Sequence, residues 1–237
     1  AQPRSKLTPT SAFTVMNRPV PRIDIPDKVT GGEAYDEYVS DPAKPVPYVA
    51  RPVRADDADQ WRFWLVSDQR HVDGRPDVLT YVTEPLKAPL QISGSPWVNL
   101  YASTSGTDSD WVVKLIDVYP QDRGDVSPSG VKMGGYEQLV RGEPMRGRFR
   151  SSFEKPEPFE PGRVTKVEFT MPDINHSFRK GHRIMVQIQS SWFPLGDRNP
   201  QKFVDINTAK EADFQKATQR VYHSPQSASR LMLTVLP

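Results

Sequence analysis

The sequence predicts an all-β domain, a jelly-roll β-sandwich with at most one short helix. Its 237 residues contain 24 prolines against 14 glycines, about twice the usual proline share. Proline interrupts helices but is tolerated in turns and at strand ends, so this composition disfavours a helical fold. Short β-favouring runs, roughly eight to ten of them, follow one another between turn residues. Although the length allows one large all-β domain or two small ones, we expect a single domain over residues 1–237.

The first part of the chain is predicted to be a long extended arm. Residues 1–60 are rich in proline and turn residues and show few periodic runs. Their apolar side chains need burial, which favours an ordered arm that wraps over a sheet. These side chains are Phe13, Val15, Ile23, Ile25, Tyr35, Tyr38 and Val39.

The sandwich core is predicted over residues 61–237. Aromatic and β-branched residues dominate its first runs, and the later runs alternate apolar with polar residues, as strands with one wet face do. Pro120 directly follows one run and marks the end of its strand. In order, the runs cover residues 61–66, 78–83, 90–94, 97–102, 111–119, 164–171 and 182–190.

Two interpretations compete near the C-terminus. Thr208 followed by Glu211 forms a possible capping box, which would begin a short helix. Residues 220–223 and 231–236, separated by a turn at 224–227, are typical of a closing hairpin. We favour the hairpin.

Composition excludes several classes of partner. Lys and Arg total 31 against 29 Asp and Glu, and this near balance gives no electrostatic reason to expect nucleic acid or an anionic membrane. The sequence contains no run of eighteen apolar residues, so it predicts no transmembrane span. Because cysteine is absent, disulfides and thiolate-bound metals are not expected. The start, residues 1–6, has neither a signal-peptide core nor an initiator Met, which suggests a processed chain or an excised fragment.

The sequence nominates no catalytic residue. It contains no Gly-x-Ser-x-Gly nucleophile elbow, and its nearest look-alikes, around Ser93 and Ser129, have strand and turn contexts. The four histidines, His71, His176, His182 and His223, show no metal-ligand spacing, and a structural role is favoured for each. A Ser-His-Asp triad assembled across the fold stays open on spacing alone.

Acidic and aromatic residues offer two further possibilities. Asp108 and Asp110 could ligate calcium, but two carboxylates are few for that ion, and turn capping is the favoured interpretation. The cluster Asp56, Asp57 and Asp59 is interpreted as a solvated loop. The tryptophans could form a sugar-stacking platform, although a core or interface role is favoured. They are Trp61, Trp64, Trp97, Trp111 and Trp192.

Several segments together resemble one family. DVLTYVTEPL (77–86), ISGSP (92–96), DSDWVVKLIDVYP (108–120) and GHRIMVQI (181–188) resemble the C-terminal domain of the X-Pro dipeptidyl-peptidase and cocaine esterase (CocE/NonD) group of serine hydrolases. YDEYVSDP (35–42), RGRFR (146–150) and WFPLGDRNP (192–200) are most similar to α-amino acid ester hydrolases and glutaryl-cephalosporin acylases within that group. The resemblance extends from about residue 33 to the end.

This resemblance implies a galactose-binding-like jelly roll without catalytic residues, cofactor or metal. Its implied partner is the α/β-hydrolase domain of the parent, which carries the triad and acts on α-amino acid esters, acyl amides or X-Pro dipeptides through an acyl-enzyme. Leu100 and Tyr101 match the strand that walls the acyl pocket, although strand alternation turns only one of them inward. A periplasmic or secreted location is also implied. The alternative is a free-standing carbohydrate- or peptide-binding module.

Overall fold

The fold is a sandwich of antiparallel sheets, seen in a computed structural model that describes residues 22–24 (backbone only), 35–44, 67–124, 126 and 130–236. In chain order the strands are β1 (Arg22–Asp24), β2 (Tyr35–Ser40), β3 (Val78–Val82), β4 (Leu90–Gly94), β5 (Trp97–Thr104), β6 (Asp110–Val118), β7 (Glu137–Arg146), β8 (Thr165–Thr170), β9 (Ile174–Phe178), β10 (Arg183–Gln189), β11 (Ala217–Ser224), β12 (Ser227–Ala228) and β13 (Arg230–Met232). The all-β prediction is confirmed.

The larger sheet is built around β5. Strand β8 pairs with β5 along one edge, while β13 and β11 pair with the first and second halves of its other edge. Strands β1 and β2, which come from the segment predicted as an arm, pair in turn with β13 and β11. The prediction that residues 1–237 form one domain stays a prediction.

The smaller sheet has the order β3-β10-β6-β7, and β4 pairs with β9 in a separate ribbon. The main core lies between the two sheets, where inward residues of β5 meet those of β6 and β10. Val98, Leu115 and Ile188 are each at most 1% exposed. Burying apolar side chains in this layer is the principal source of stability.

A second, smaller core covers the outer face of the smaller sheet. Strand β6 is buried at every position, because both of its faces are covered. On the outer face Val112 and Ile116 pack in a cluster with Val72, which belongs to the Arg70–Val72 3₁₀ turn, and with Trp192. The chain therefore supplies its own cover for this face of the sandwich.

Gly142 on β7 makes room for that cover. A Cβ atom at this position would lie 2.5 Å from Cη2 of Trp192, so the indole ring occupies the space of the missing side chain. We expect Gly142→Ala to destabilise the protein by about 1–3 kcal/mol, because a rigid ring in a packed layer must shift. Urea unfolding measures this loss. The matched control is Gly124→Ala, whose added methyl group meets nothing within 4 Å and should leave stability unchanged.

For the C-terminal region, the predicted helix is wrong and the predicted closing hairpin is only partly right. Thr208 begins no helix; the two adjacent 3₁₀ turns, Ile206–Thr208 and Glu211–Asp213, are capped by Asp205 and Asp213 instead. The turn of the closing hairpin is confirmed by the pairing of β11 with β12. Residues 231–236 do not continue that hairpin, because β13 pairs with the free edge of β5 and the chain then bonds to β4.

Several predicted features lie outside the described residues. These are the 61–66 run with Trp61 and Trp64, the acidic cluster Asp56, Asp57 and Asp59, and Ser129. Within the described ranges, no helix has the length and apolar character needed to cross a membrane.

Candidate docking surface

The outer face of the larger sheet carries the side chains that strand alternation turns away from the core. On β5, Val98, Leu100 and Ala102 are at most 2% exposed, whereas Trp97 is 41% exposed and Tyr101 is partly exposed. The two residues predicted as a pocket wall therefore lie on opposite faces. Leu100 borders a small cavity between the sheets together with Val113 and Ile188. Of these two residues only Tyr101 reaches the surface, and the pocket-wall role predicted for Leu100 and Tyr101 stays a prediction.

Strand register defines the neighbours on this face. Thr170 of β8 and Met232 of β13 flank Trp97, Glu168 and Arg230 flank Asn99, and Lys166 flanks Tyr101. The Nζ atom of Lys166 lies 2.8 Å from Oε1 of Glu168. The face thus combines aromatic and aliphatic surface with a polar row, a composition common in domain interfaces.

The backbone at Tyr101 is fixed by Ser229, which is buried between β12 and β13. The Tyr101 amide donates to Oγ of Ser229 at 3.0 Å, and the same hydroxyl donates to the Tyr101 carbonyl at 3.3 Å. The edge of β5 that pairs first with β13 and then with β11 lacks ladder hydrogen bonds where the partner strand changes. The Ser229 hydroxyl replaces these bonds. The tyrosine ring is consequently presented from a rigid strand.

The other end of the face is closed by contacts within the chain. Tyr35 and Tyr222 pack with ring centroids 5.3 Å apart, and the Arg220 guanidinium carbon lies 4.5 Å from the Tyr35 centroid. Arg220 Nε also lies 3.1 Å from Oε2 of Glu37. We therefore define the docking surface as Trp97, Asn99, Tyr101, Lys166, Glu168, Arg230 and Met232.

Asp108 and Asp110 belong to a buried ionic network. Asp108 is 0% exposed and accepts bonds from Arg148 Nε at 2.8 Å and Asn199 Nδ2 at 2.9 Å. Asn199 Nδ2 also donates to Oδ1 of Asp110 at 2.7 Å, and Arg146 Nε lies 3.4 Å from the same atom. The favoured interpretation, turn capping, is wrong, because these carboxylates face arginine and asparagine side chains inside the fold.

Burial raises the pKa of Asp110 to about 6, with Arg146 and the Asn199 amide opposing that rise. Two arginines balance the two carboxylates, which leaves no excess negative charge for a calcium ion. Among the residues that the structure describes, no group of three or more His, Cys, Asp or Glu side chains could hold a metal.

Three of the four histidines lie beside carboxylates. His176 Nε2 lies 2.9 Å from Oδ2 of Asp117, and His182 Nδ1 lies 2.7 Å from Oδ1 of the same carboxylate. This arrangement joins β6, β9 and the start of β10. His223 lies 3.9 Å from Asp36, which accepts a bond from the Tyr81 hydroxyl at 2.9 Å. Asp36 thereby ties β2 to the opposite sheet.

The described tryptophans do not form a row on one sheet face. Trp111 is 0% exposed in the main core and Trp192 is 7% exposed over the smaller sheet. Trp97 alone of the three is exposed. The core or interface interpretation is favoured over a sugar-stacking platform for this part of the chain.

Known proteins share this fold and much of this sequence. The family described as X-Pro dipeptidyl-peptidase C-terminal non-catalytic domain matches residues 29–232. Cocaine esterase of Rhodococcus sp. (strain MB1 Bresler) is 31% identical over 88% of this chain and 33% of its own length.

Two solved structures are similar over most of the chain. An α-amino acid ester hydrolase shares 58% identity with a TM-score of 0.80, over 88% of this chain and 33% of that one. An aminopeptidase from a marine sediment Thaumarchaeota archaeon shares 44% identity with a TM-score of 0.82, over 91% of this chain and 36% of that one. The chain thus spans about a third of the length of the relatives that it matches.

Proposed function

Because the chain belongs to the X-Pro dipeptidyl-peptidase C-terminal non-catalytic domain family, we propose that it packs on the α/β-hydrolase domain of a longer serine hydrolase through the docking surface. The single observation that carries this proposal is that the described residues cover the outer faces of the two sheets unequally. The smaller sheet is covered on its outer face by Trp192 and Val72 of its own chain. The larger sheet presents Trp97 and Tyr101 outward.

The chemistry that the relatives share supports a proposal for the reaction of the whole hydrolase. The cocaine esterase and the α-amino acid ester hydrolase act on esters, and the aminopeptidase acts on amide bonds. All of them cleave an acyl carbonyl from its leaving group. We therefore assign the parent to hydrolysis of α-amino acid esters, acyl amides or X-Pro dipeptides by a serine nucleophile in the hydrolase domain. This domain contributes no reacting group.

Ester hydrolysis tests whether catalysis resides in the hydrolase domain and not in this chain. The isolated chain should not hydrolyse p-nitrophenyl esters above the buffer rate, while the same chain joined to its hydrolase domain should show saturable turnover. Turnover by the isolated chain that is abolished by replacing one of its Ser or His residues would contradict the proposal.

Tyr101 tests the pocket wall. In the full-length hydrolase, Tyr101→Ala should raise KM for esters with bulky acyl groups by about 10-fold, a loss of roughly 1.4 kcal/mol of binding. The KM for a small acetyl ester should change little, because that group does not reach the wall. Tyr101→Phe keeps the ring and should behave as wild type.

Lys166→Ala shows what a change elsewhere on the docking surface does. It removes the cross-strand neighbour of Tyr101 on the same face, so any effect on KM should be equal for small and bulky esters. Equal increases of KM for small and bulky esters in the Tyr101→Ala variant would place this residue away from the pocket.

A further inference from the structure

Phe153 is the most exposed of the large apolar side chains among the described residues. It is 79% exposed, nearly twice the value for Trp97. Phe153 lies in the loop that follows the Gly147–Phe149 3₁₀ turn, where residues 154–158 are also exposed but polar or proline. A single aromatic ring in water at the tip of a polar loop gains nothing for the fold of this chain.

The loop that carries Phe153 is held rigidly at its base. Arg150 Nη1 donates to the carbonyls of Gly147 and Glu157 at 3.1 and 2.8 Å, and Nη2 donates to the carbonyl of Pro158 at 2.9 Å. One guanidinium thereby joins the start and the end of the loop. Its carbon also lies 4.3 Å from the ring centroid of Phe159, which is 2% exposed in the main core.

Further bonds order the loop itself and fasten it to the sandwich. The amides of Glu154 and Lys155 both donate to Oγ of Ser152 at 3.2 Å, which shapes the tip next to Phe153. The Glu157 amide donates to the Arg148 carbonyl at 2.8 Å. Because Arg148 is bound to Asp108, the loop is connected to the buried ionic network.

An aromatic side chain on a preordered loop has the physical properties of an interface anchor. Such a ring buries a large apolar area on binding, and little entropy remains to be lost when its loop is already fixed. A flexible loop would give the opposite expectation, since ordering it would oppose association.

We propose that Phe153 is a second anchor for the hydrolase domain, separate from the docking surface. This inference rests on the proposed function, because about two thirds of the length of each relative lies outside the part that this chain matches. The hydrolase domain of the proposed function is the partner that this anchor contacts. Phe153 inserts into an apolar recess of the hydrolase domain, and Arg150 positions it through the loop backbone.

Hydroxyl-radical footprinting tests the anchor in the isolated chain and in the full-length hydrolase. Phe153 should oxidise at least fivefold more slowly in the full-length protein than in the isolated chain. Tyr136, which precedes β7 at the end opposite this loop, serves as the internal reference. Trp97 and Tyr101 report on the docking surface in the same experiment.

The footprinting outcomes separate the two proposals. Protection of Phe153 together with Trp97 and Tyr101 supports both. Protection of Trp97 and Tyr101 with an unprotected Phe153 overturns the anchor and leaves the proposed function standing. A lack of protection at all three positions overturns both proposals. Concentration-dependent protection of Phe153 in the isolated chain would make a second copy its partner and would overturn the anchor.

A substitution adds an independent readout. Phe153→Ser should leave the melting temperature of the isolated chain unchanged, because the ring is already in water. In the full-length hydrolase the same change should raise the rate of heat inactivation at least tenfold. The matched control, Glu154→Ser, removes an exposed neighbour and should leave that rate as in wild type. An unchanged inactivation rate for Phe153→Ser would overturn the anchor.

Discussion

Arg148→Met should lower the free energy of unfolding of the isolated chain by about 3–5 kcal/mol. Arg148 Nη2 lies 2.6 Å from Oδ2 of Asp108, and the two side chains are 9% and 0% exposed. Methionine retains much of the buried aliphatic part of the arginine side chain but leaves the Asp108 carboxylate without its cation in the interior. The cost is that of a desolvated, unpaired charge, which exceeds the value of the ion pair itself.

Urea denaturation at neutral pH measures this loss, with an unchanged m value as evidence that the folded state keeps its compactness. Arg163→Met is the matched control, because Arg163 pairs with Glu160 at the surface, where both side chains are at least 66% exposed. Such pairs contribute about 0–1 kcal/mol. A loss for Arg148→Met no larger than that of the control would show that the interior already solvates Asp108.

The double variant Asp108→Leu/Arg148→Met identifies the origin of the effect. If the loss comes from an unpaired charge, removing that charge should restore part of the stability lost in Arg148→Met. The restoration should be incomplete, since Asn199 also donates to Asp108 and would lose one of its two acceptors.

Sequence reasoning located the strands that show strong local signals. The runs at 78–83, 90–94 and 182–190 fall on β3, β4 and β10 within a residue or so, because β-branched residues favour strands. The wet face that alternation predicted for 182–190 is wrong, since Gln187 and Gln189 on β10 are 0% exposed. Sequence reasoning missed β7, in which Gly142 and Pro144 dilute the pattern. Gly142 is explained only by the Trp192 ring packed on it, a contact between positions 50 residues apart.

The buried polar network could not be predicted from the local sequence either, because its members are also distant along the chain. Asp108 and Asn199 are 91 residues apart, and nothing near either one shows that they share a hydrogen bond. Within the turn-rich segment 105–110, aspartates are expected to cap backbone amides, so the pattern favoured capping. Family motifs carried more information than spacing, because they report jointly on residues that the fold brings together. The resemblance to the CocE/NonD group is confirmed by the family match and the two structures.

Lys114→Met should raise the free energy of unfolding by about 1–3 kcal/mol at pH 7, an unusual direction for a core substitution. Lys114 is 0% exposed on β6, and its described contacts are Gln69 Oε1 at 3.0 Å and the Trp192 ring, whose centroid lies 5.6 Å away. Burial lowers the pKa of Lys114 to about 7, and the charge of Arg75 adds to that effect. Methionine fills the same space without a charge to desolvate, although Gln69 loses its donor.

The pH dependence of the free energy of unfolding tests this prediction most directly. The unfolded lysine keeps its proton up to about pH 10.5, whereas the folded one loses it near pH 7, so the unfolded state binds more protons between these values. Stability of the wild type should therefore rise with pH relative to Lys114→Met, by about 2–3 kcal/mol between pH 7 and pH 9. Taking the difference between the two proteins cancels other titrating groups, including Glu137, whose pKa burial raises to about 8. The control Lys166→Met, at an exposed lysine, should keep a constant difference from wild type over this range. If the gap between wild type and Lys114→Met stays constant from pH 7 to pH 9, then Lys114 holds its proton in the folded state and the interior must stabilise that charge.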